Sequence, residues 1–66
     1  MDNTLEQIKD KLYHAYKARK YWSSTNGSTY NYWQGEIHAY INVICIIDPE
    51  NGMDIVRSIR TQVIGY

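Results

Sequence analysis

The sequence predicts an all-α protein in which an antiparallel helical hairpin is followed by a short third helix. Two observations favour this fold. Apolar residues recur at spacings of three and four along most of the chain, and the central apolar segment is too long to be a single strand. The chain has 66 residues, with seven Lys and Arg against seven Asp and Glu. We therefore expect one small helical domain over residues 1–66, without net charge.

The first helix is predicted over residues 4–22. Asn3 or Thr4 can cap its start, because Glu6 or Gln7 then stands where the reciprocal partner of a capping box belongs. Its apolar seam includes one cation, Arg19. An unpaired guanidinium in a dry core would be strongly destabilising, so Arg19 must reach solvent, pair with an acid or stack on a ring such as Trp33. The seam consists of Leu5, Ile8, Leu12, Ala15, Arg19 and Trp22.

A polar connector over residues 23–31 is predicted to separate the first two helices. Its short Ser, Thr and Asn side chains compete for backbone hydrogen bonds, and the Asn26-Gly27 pair suits a turn. Asn31 with Gln34 is interpreted as a cap pair for a second helix over residues 32–47, which Asp48-Pro49 ends. Gly35 is expected to let a ring from the first helix approach the backbone.

The middle of the chain leaves a second fold open. Residues 37–47 carry apolar side chains at every odd position and many β-branched residues, which is also a strand pattern. After a turn at residues 48–52, the spacing of Met53, Val56, Ile59 and Val63 predicts a third helix over 53–64 that ends at Gly65. The alternative is an α+β fold with strands near 37–47 and 55–64.

The second helix is predicted to be apolar nearly all round, and this favours self-association. Its first face contains Ile37, Tyr40, Ile41 and Ile44. A second face, formed by Ala39, Val43 and Ile46, is the expected oligomer interface, because two short neighbours can hardly cover both. The alternative is a monomer in which the third helix covers that second face.

Aromatic and basic residues are predicted to meet at one end of the hairpin, and they are the candidate partner-binding site. Tyr, Trp and Arg are typical of protein-interface hot spots, while bases stack on the same rings and phosphates pair with Lys. We therefore expect a protein partner, with nucleic acid as the alternative, unless the rings only clamp the loop. The candidates are Lys17, Lys20, Tyr21, Trp22, Tyr30, Tyr32 and Trp33.

Other polar groups do not form a recognisable reaction centre. His38, Asn42 and Cys45 share a helical face, but zinc requires four ligands and no second Cys or nearby His accompanies them. The acidic residues around the second turn are expected to be solvated. We expect no catalytic residue, metal or cofactor, and a cytoplasmic protein, since the first residues lack a signal-peptide pattern.

Residues 32–44, beginning Tyr32-Trp33-Gln34-Gly35, show the pattern aromatic-aromatic-x-Gly-x-Ile-x-Ala-Tyr. This stretch resembles the second helix of small uncharacterised proteins encoded by phages and mobile elements of Firmicutes. The resemblance covers about a third of the chain and implies a helical accessory protein. It favours an inhibitor of a host enzyme or immune effector, and it assigns no functional residue. From its aromatic and basic residues, the chain is expected to be non-enzymatic and to act by occlusion.

Overall fold

The computed structural model describes residues 3–22 and 27–65, and these form three helices. Helix α1 spans Thr4–Trp22, α2 spans Gly27–Ile47 and α3 spans Gly52–Ile64. The predicted all-α fold is confirmed. The strand alternative is not supported, since both ranges proposed as strands are helical.

The three helices run up, down and up. The end of α1 lies beside the first half of α2, where the Arg19 guanidinium donates a hydrogen bond to the side chain of Gln34. The same end of α1 also meets the end of α3, where Lys20 Nζ donates to the Val63 carbonyl over 3.1 Å. Helix α2 is therefore antiparallel to α1, and α3 is parallel to α1.

The core lies where the three helices meet and contains only apolar and aromatic side chains. The largest fully buried side chains are Leu12 of α1 and Ile44 of α2. Half-buried residues such as Trp33, Tyr40 and Ile55 pack around this centre. Each helix thus buries one stripe and exposes the opposite face. The buried set is Leu12, Ala15, Tyr16, Ile37, Ile44, Val56 and Ile59.

Helix α2 begins five residues earlier than predicted. The expected loop at 23–31 was wrong for residues 27–31, and Asn31 lies inside the helix rather than at its cap. Ser and Gly are tolerated in a first helical turn, because its N–H groups have no intrahelical partners there. The half-buried Tyr30 ring also packs near Arg19. This contact joins two helices, so the local propensity of the segment does not encode it.

The predicted signals at the ends of α1 and α3 have different outcomes. Gln7 Nε2 donates to Asn3 Oδ1 over 3.2 Å at the start of α1, a bond between side chains rather than the side-chain-to-backbone bonds of a capping box. At the end of α3, Gly65 adopts φ +96° and its N–H bonds the Thr61 carbonyl. A left-handed residue at this position closes the last turn, and Gly adopts it without strain.

The α2–α3 turn is held by Asp48 and by a close approach at Gly52. Asp48 Oδ1 accepts the Asn51 backbone N–H over 3.1 Å. A Cβ placed on Gly52 would lie 3.0 Å from Cys45 Cα and 3.2 Å from Cys45 Sγ. Gly52 therefore lets the start of α3 pack directly on the backbone of α2.

Candidate functional site

A cleft of about 410 Å³ lies between the second half of α1 and the end of α3. We call it the α1–α3 cleft. Its α1 wall follows one helical face at positions i, i+4, i+7 and i+8, and α3 supplies the opposite wall. Tyr21 is 75% exposed at the rim. The lining residues are Tyr13, Lys17, Lys20, Tyr21, Gln62 and Val63.

The two lysines of the α1–α3 cleft are held differently. Lys17 Nζ lies 5.4 Å from the centroid of the Tyr13 ring, a cation–π contact on the surface of α1. Lys20 hydrogen-bonds the Val63 carbonyl in the last turn of α3, where a cation also interacts favourably with the negative end of the helix dipole. Lys20 therefore ties α1 to α3, while Lys17 extends positive charge toward solvent.

Arg19 lies in the seam between α1 and α2 and is half-buried. Its Cζ is 5.3 Å from the Tyr16 ring centroid and 5.8 Å from that of Tyr30. Its guanidinium also donates to Gln34 Oε1. Of the three expected outcomes for Arg19 (solvent, an acid or a ring), the structure shows contact with rings, those of Tyr16 and Tyr30 rather than Trp33.

The predicted aromatic candidates are distributed over different surfaces. Tyr21 lines the α1–α3 cleft, whereas Tyr30 contacts Arg19 on the α2 side of α1. Tyr32 is 60% exposed on α2, and its ring meets Trp33 edge-on at 5.0 Å between centroids. The side chain of Trp22 lies outside the described residues. Lys17, Lys20 and Tyr21 therefore share one cleft, and the α2 rings do not line it.

The outer face of α2 is defined here by Tyr32, Gly35, Ala39, Val43 and Ile46. Four of these residues are exposed and Val43 is half-buried. Ile46 is 77% exposed, so α3 does not cover this face. Nothing lies within 4 Å of a Cβ placed on Gly35, and the expected ring packing at this glycine was wrong.

The polar residues of α2 do not converge. Gln34 Nε2 lies 3.3 Å from His38 Nε2 on the exposed side of the helix. Cys45 instead points toward α3, with its Sγ 3.6 Å from Met53 Sδ. Among residues 3–22 and 27–65, no three His, Cys, Asp or Glu side chains form a group that could hold a metal ion.

Among the described titratable groups, Tyr40 is the one whose pKa is clearly shifted by its surroundings. Its hydroxyl hydrogen-bonds the Glu36 carboxylate one turn earlier, and this contact raises the pKa of Tyr40 above its usual 10.0. Partial burial and the negative charge of Glu36 act in the same direction. Each of these causes favours the neutral phenol.

Three residues of the α1–α3 cleft were missed from the sequence. Tyr13 shares a helical face with Lys17 and Tyr21, so a four-residue period indicates it. Gln62 and Val63 reach the cleft because α3 runs parallel to α1, and no local pattern encodes that packing. Residue spacing identifies one wall of a cleft, and only the tertiary fold identifies the other.

No known protein family, curated protein or solved structure matches this chain. The described helices include none with the length and apolar character needed to cross a membrane. The arrangement of the side chains therefore carries the functional interpretation.

Proposed function

We propose that this protein is a non-enzymatic protein-binding module whose binding site is the α1–α3 cleft. The observation that carries the proposal is the grouping of the exposed Tyr21 ring with Lys17 at a cleft of about 410 Å³. A tyrosine supplies a large rigid contact area with little conformational freedom to lose. Such a ring beside a cavity is typical of an interface anchor.

The charge around the cleft favours an acidic partner segment. Residues 11–22 contain four Lys and Arg and no acid. Two of these cations, Lys17 and Lys20, line the cleft where the ends of α1 and α3 meet. We infer that a partner carboxylate pairs with Lys17 while an adjacent apolar side chain enters the cleft against Tyr13.

Occlusion is the proposed mechanism. A rigid helical bundle that binds an acidic surface through one end prevents other molecules from reaching that surface. An inhibitor of a host enzyme or immune effector, encoded by a phage or mobile element, would act in this way. Lys17 would speed encounter with the partner through long-range attraction, and Tyr21 would slow dissociation.

Binding of a purified partner tests this proposal. Proteins that co-elute with the tagged chain from its native host are purified and titrated by calorimetry. We expect Tyr21→Ala and Lys17→Glu each to weaken binding at least tenfold, with unchanged helical circular dichroism. Lys11→Glu is the matched control, because Lys11 is an exposed cation of the same helix outside the cleft. Equal binding by all variants would contradict the proposal.

Single-stranded nucleic acid is the second candidate ligand, because Tyr21 and Lys17 also suit stacking and phosphate contact. The dependence on salt separates the two functions. Affinity for a mixed-sequence oligonucleotide would fall steeply between about 50 and 200 mM salt, since phosphate contacts release counterions. No retention of an oligonucleotide at low salt would eliminate this candidate.

A further inference from the structure

We propose that the partner segment is an amphipathic helix that lies along a groove between α1 and α3, antiparallel to both. Its first turn carries an acidic residue that meets Lys17, and two aliphatic anchors follow at i and i+7. This inference rests on the proposed function and deepens it, because it specifies the structure, length and direction of the segment that the α1–α3 cleft binds. The observation that carries it is a second cavity in line with the cleft.

The second cavity, of about 310 Å³, continues the α1–α3 cleft toward the start of α3. Gln62 lines both cavities, so the two form one groove. The described residues that line them belong to α1, to α3 or to the turn before α3, and none belongs to α2. The groove therefore runs along the side of the α1–α3 pair that α2 leaves open. The second cavity is lined by Lys9, Asn51, Asp54, Ile55, Ser58 and Gln62.

The two cavities repeat along both helices with a spacing of eight residues. On α3, Ile55 lines the second cavity and Val63 lines the cleft, while on α1 Lys9 and Lys17 take the corresponding places. Eight residues of an α-helix rise about 12 Å, and seven rise about 10 Å. Side chains at i and i+7 of a docked helix therefore reach both cavities, as in other complexes where a helix binds a groove.

A helix suits this groove better than an extended segment because both walls are α-helices. The backbone N–H and C=O groups of α1 and α3 bond within each helix, so they offer no partners to an extended backbone along the middle of the groove. A docked helix bonds its own backbone groups and requires only side-chain contacts. The exposed Ser58 and Gln62 supply polar contacts for those side chains.

The charges of the groove differ between its two cavities. Lys17 and Lys20 line the cleft and no carboxylate of a described residue does, whereas Lys9 and Asp54 both line the second cavity. Lys9 and Asp54 each have an oppositely charged neighbour on their own helix. Lys17 is exposed and contacts the Tyr13 ring without pairing with a described acid. A partner carboxylate is therefore required at the cleft and not at the second cavity.

The helix dipoles set the direction of the docked helix. The cleft lies where α1 and α3 both end, so it is close to the negative ends of two dipoles. Acidic side chains are favoured in the first turn of a helix, near the positive end of its dipole. A helix whose first turn lies at Lys17 therefore brings a carboxylate to the lysine and opposes the two dipoles with its own. This orientation is antiparallel to α1 and α3.

Selection from a library of helix-forming peptides, randomised on one face, tests this inference on the intact chain. We expect the enriched peptides to share aliphatic residues at i and i+7 and an acidic residue in the turn before the first of them. A proline in the middle of the best peptide should weaken binding at least tenfold because it breaks the helix, and alanine there should not. Enrichment of no sequence, of peptides that tolerate the proline, or of peptides with the acid after the second anchor would overturn the inference.

Variants in the two cavities separate this inference from the proposed function. Ser58→Trp fills the second cavity and should weaken binding of the best peptide at least tenfold, with unchanged helical circular dichroism. Thr61→Trp, exposed on α3 outside both cavities, is the control and should bind as the native chain does. Loss of affinity with Tyr21→Ala and Lys17→Glu but not with Ser58→Trp would overturn the docked helix and keep the cleft as the binding site. Equal binding by all of these variants would overturn both.

Discussion

The two faces of α2 both carry isoleucine, and their surroundings are opposite. On the inner face, Ile37 is 2% exposed and Ile44 is fully buried, while on the outer face Ile46 remains largely in solvent. Both faces contain β-branched aliphatic side chains, so the presence of an isoleucine alone does not mark the buried side. What separates them is the position of α1 and α3, which both lie on one side of α2.

This difference shows what a 66-residue chain can and cannot bury. Small domains bury a lower fraction of their surface than large ones, and here two neighbouring helices supply one covered side. The uncovered apolar side is the feature that a second molecule would explain. Substitutions on the inner face are expected to affect folding, and substitutions on the outer face are expected to affect association.

Truncation of one isoleucine on each face gives the largest contrast. We expect Ile44→Ala to lower the free energy of unfolding by about 2–5 kcal/mol, because it leaves a cavity at the centre of the core. Ile46→Ala deletes the same atoms from a side chain that is already exposed. Its effect on the free energy of unfolding of the dilute chain should stay within about 0.5 kcal/mol. Urea denaturation followed by circular dichroism at low protein concentration measures both. Equal losses would show that α2 is covered on both sides.

Two glycines of α2 and α3 give the next contrast. Gly52→Ala should destabilise by about 1–3 kcal/mol, because the new methyl group presses on the Cys45 backbone and the packed helices must shift. Gly35→Ala should stabilise the dilute chain by up to about 1 kcal/mol, because Ala is the better helix former and the space is open. Thermal unfolding of the pair measures both signs. A lower melting temperature for Gly35→Ala would reveal contacts on the outer face within one chain.

Arg19 tests the boundary between the two faces. Arg19→Lys keeps the charge but loses the planar group that contacts two tyrosine rings and Gln34. We expect a loss of about 1 kcal/mol in the free energy of unfolding, with no change in association. Lys11→Arg, an exposed exchange on α1, is the control for the substitution itself. A stability equal to that of the native chain would show that the ring contacts contribute nothing.

The smallest expected effect is the alkaline titration of Tyr40. Its raised pKa means that the folded chain keeps the phenol neutral after the unfolded chain has ionised. This stabilisation is complete below pH 10 and decreases as the pH rises through the higher folded pKa. Absorbance of tyrosinate should show one late step that Tyr40→Phe removes and Glu36→Gln moves to lower pH. No change in the titration with Glu36→Gln would contradict the assigned cause.

The sequence predicted the fold class because local signals agree along α1 and α3. The three–four spacing of apolar residues and the left-handed Gly65 at the end of α3 depend only on nearby residues, and the helices follow from them. The start of α2 was not predictable in this way. Residues 27–31 have poor helix propensity, and the contact between Tyr30 and Arg19 that favours their helical form joins two separate helices.

The candidate site was predictable only in part for the same reason. Lys17 and Tyr21 lie one turn apart, so their common surface follows from the helical period. Tyr30 and Tyr32 were grouped with them by proximity in the sequence, but the helix turns these two rings in different directions. Val63 was missed because the parallel packing of α1 and α3 depends on the whole bundle.

Sedimentation equilibrium of the unmodified chain over a micromolar concentration series is the most direct test of whether the exposed outer face of α2 binds a second copy. We predict a mass that rises with concentration toward twice the 7.8 kDa of the chain, and no further. A mass that stays at 7.8 kDa across the whole series would contradict the account.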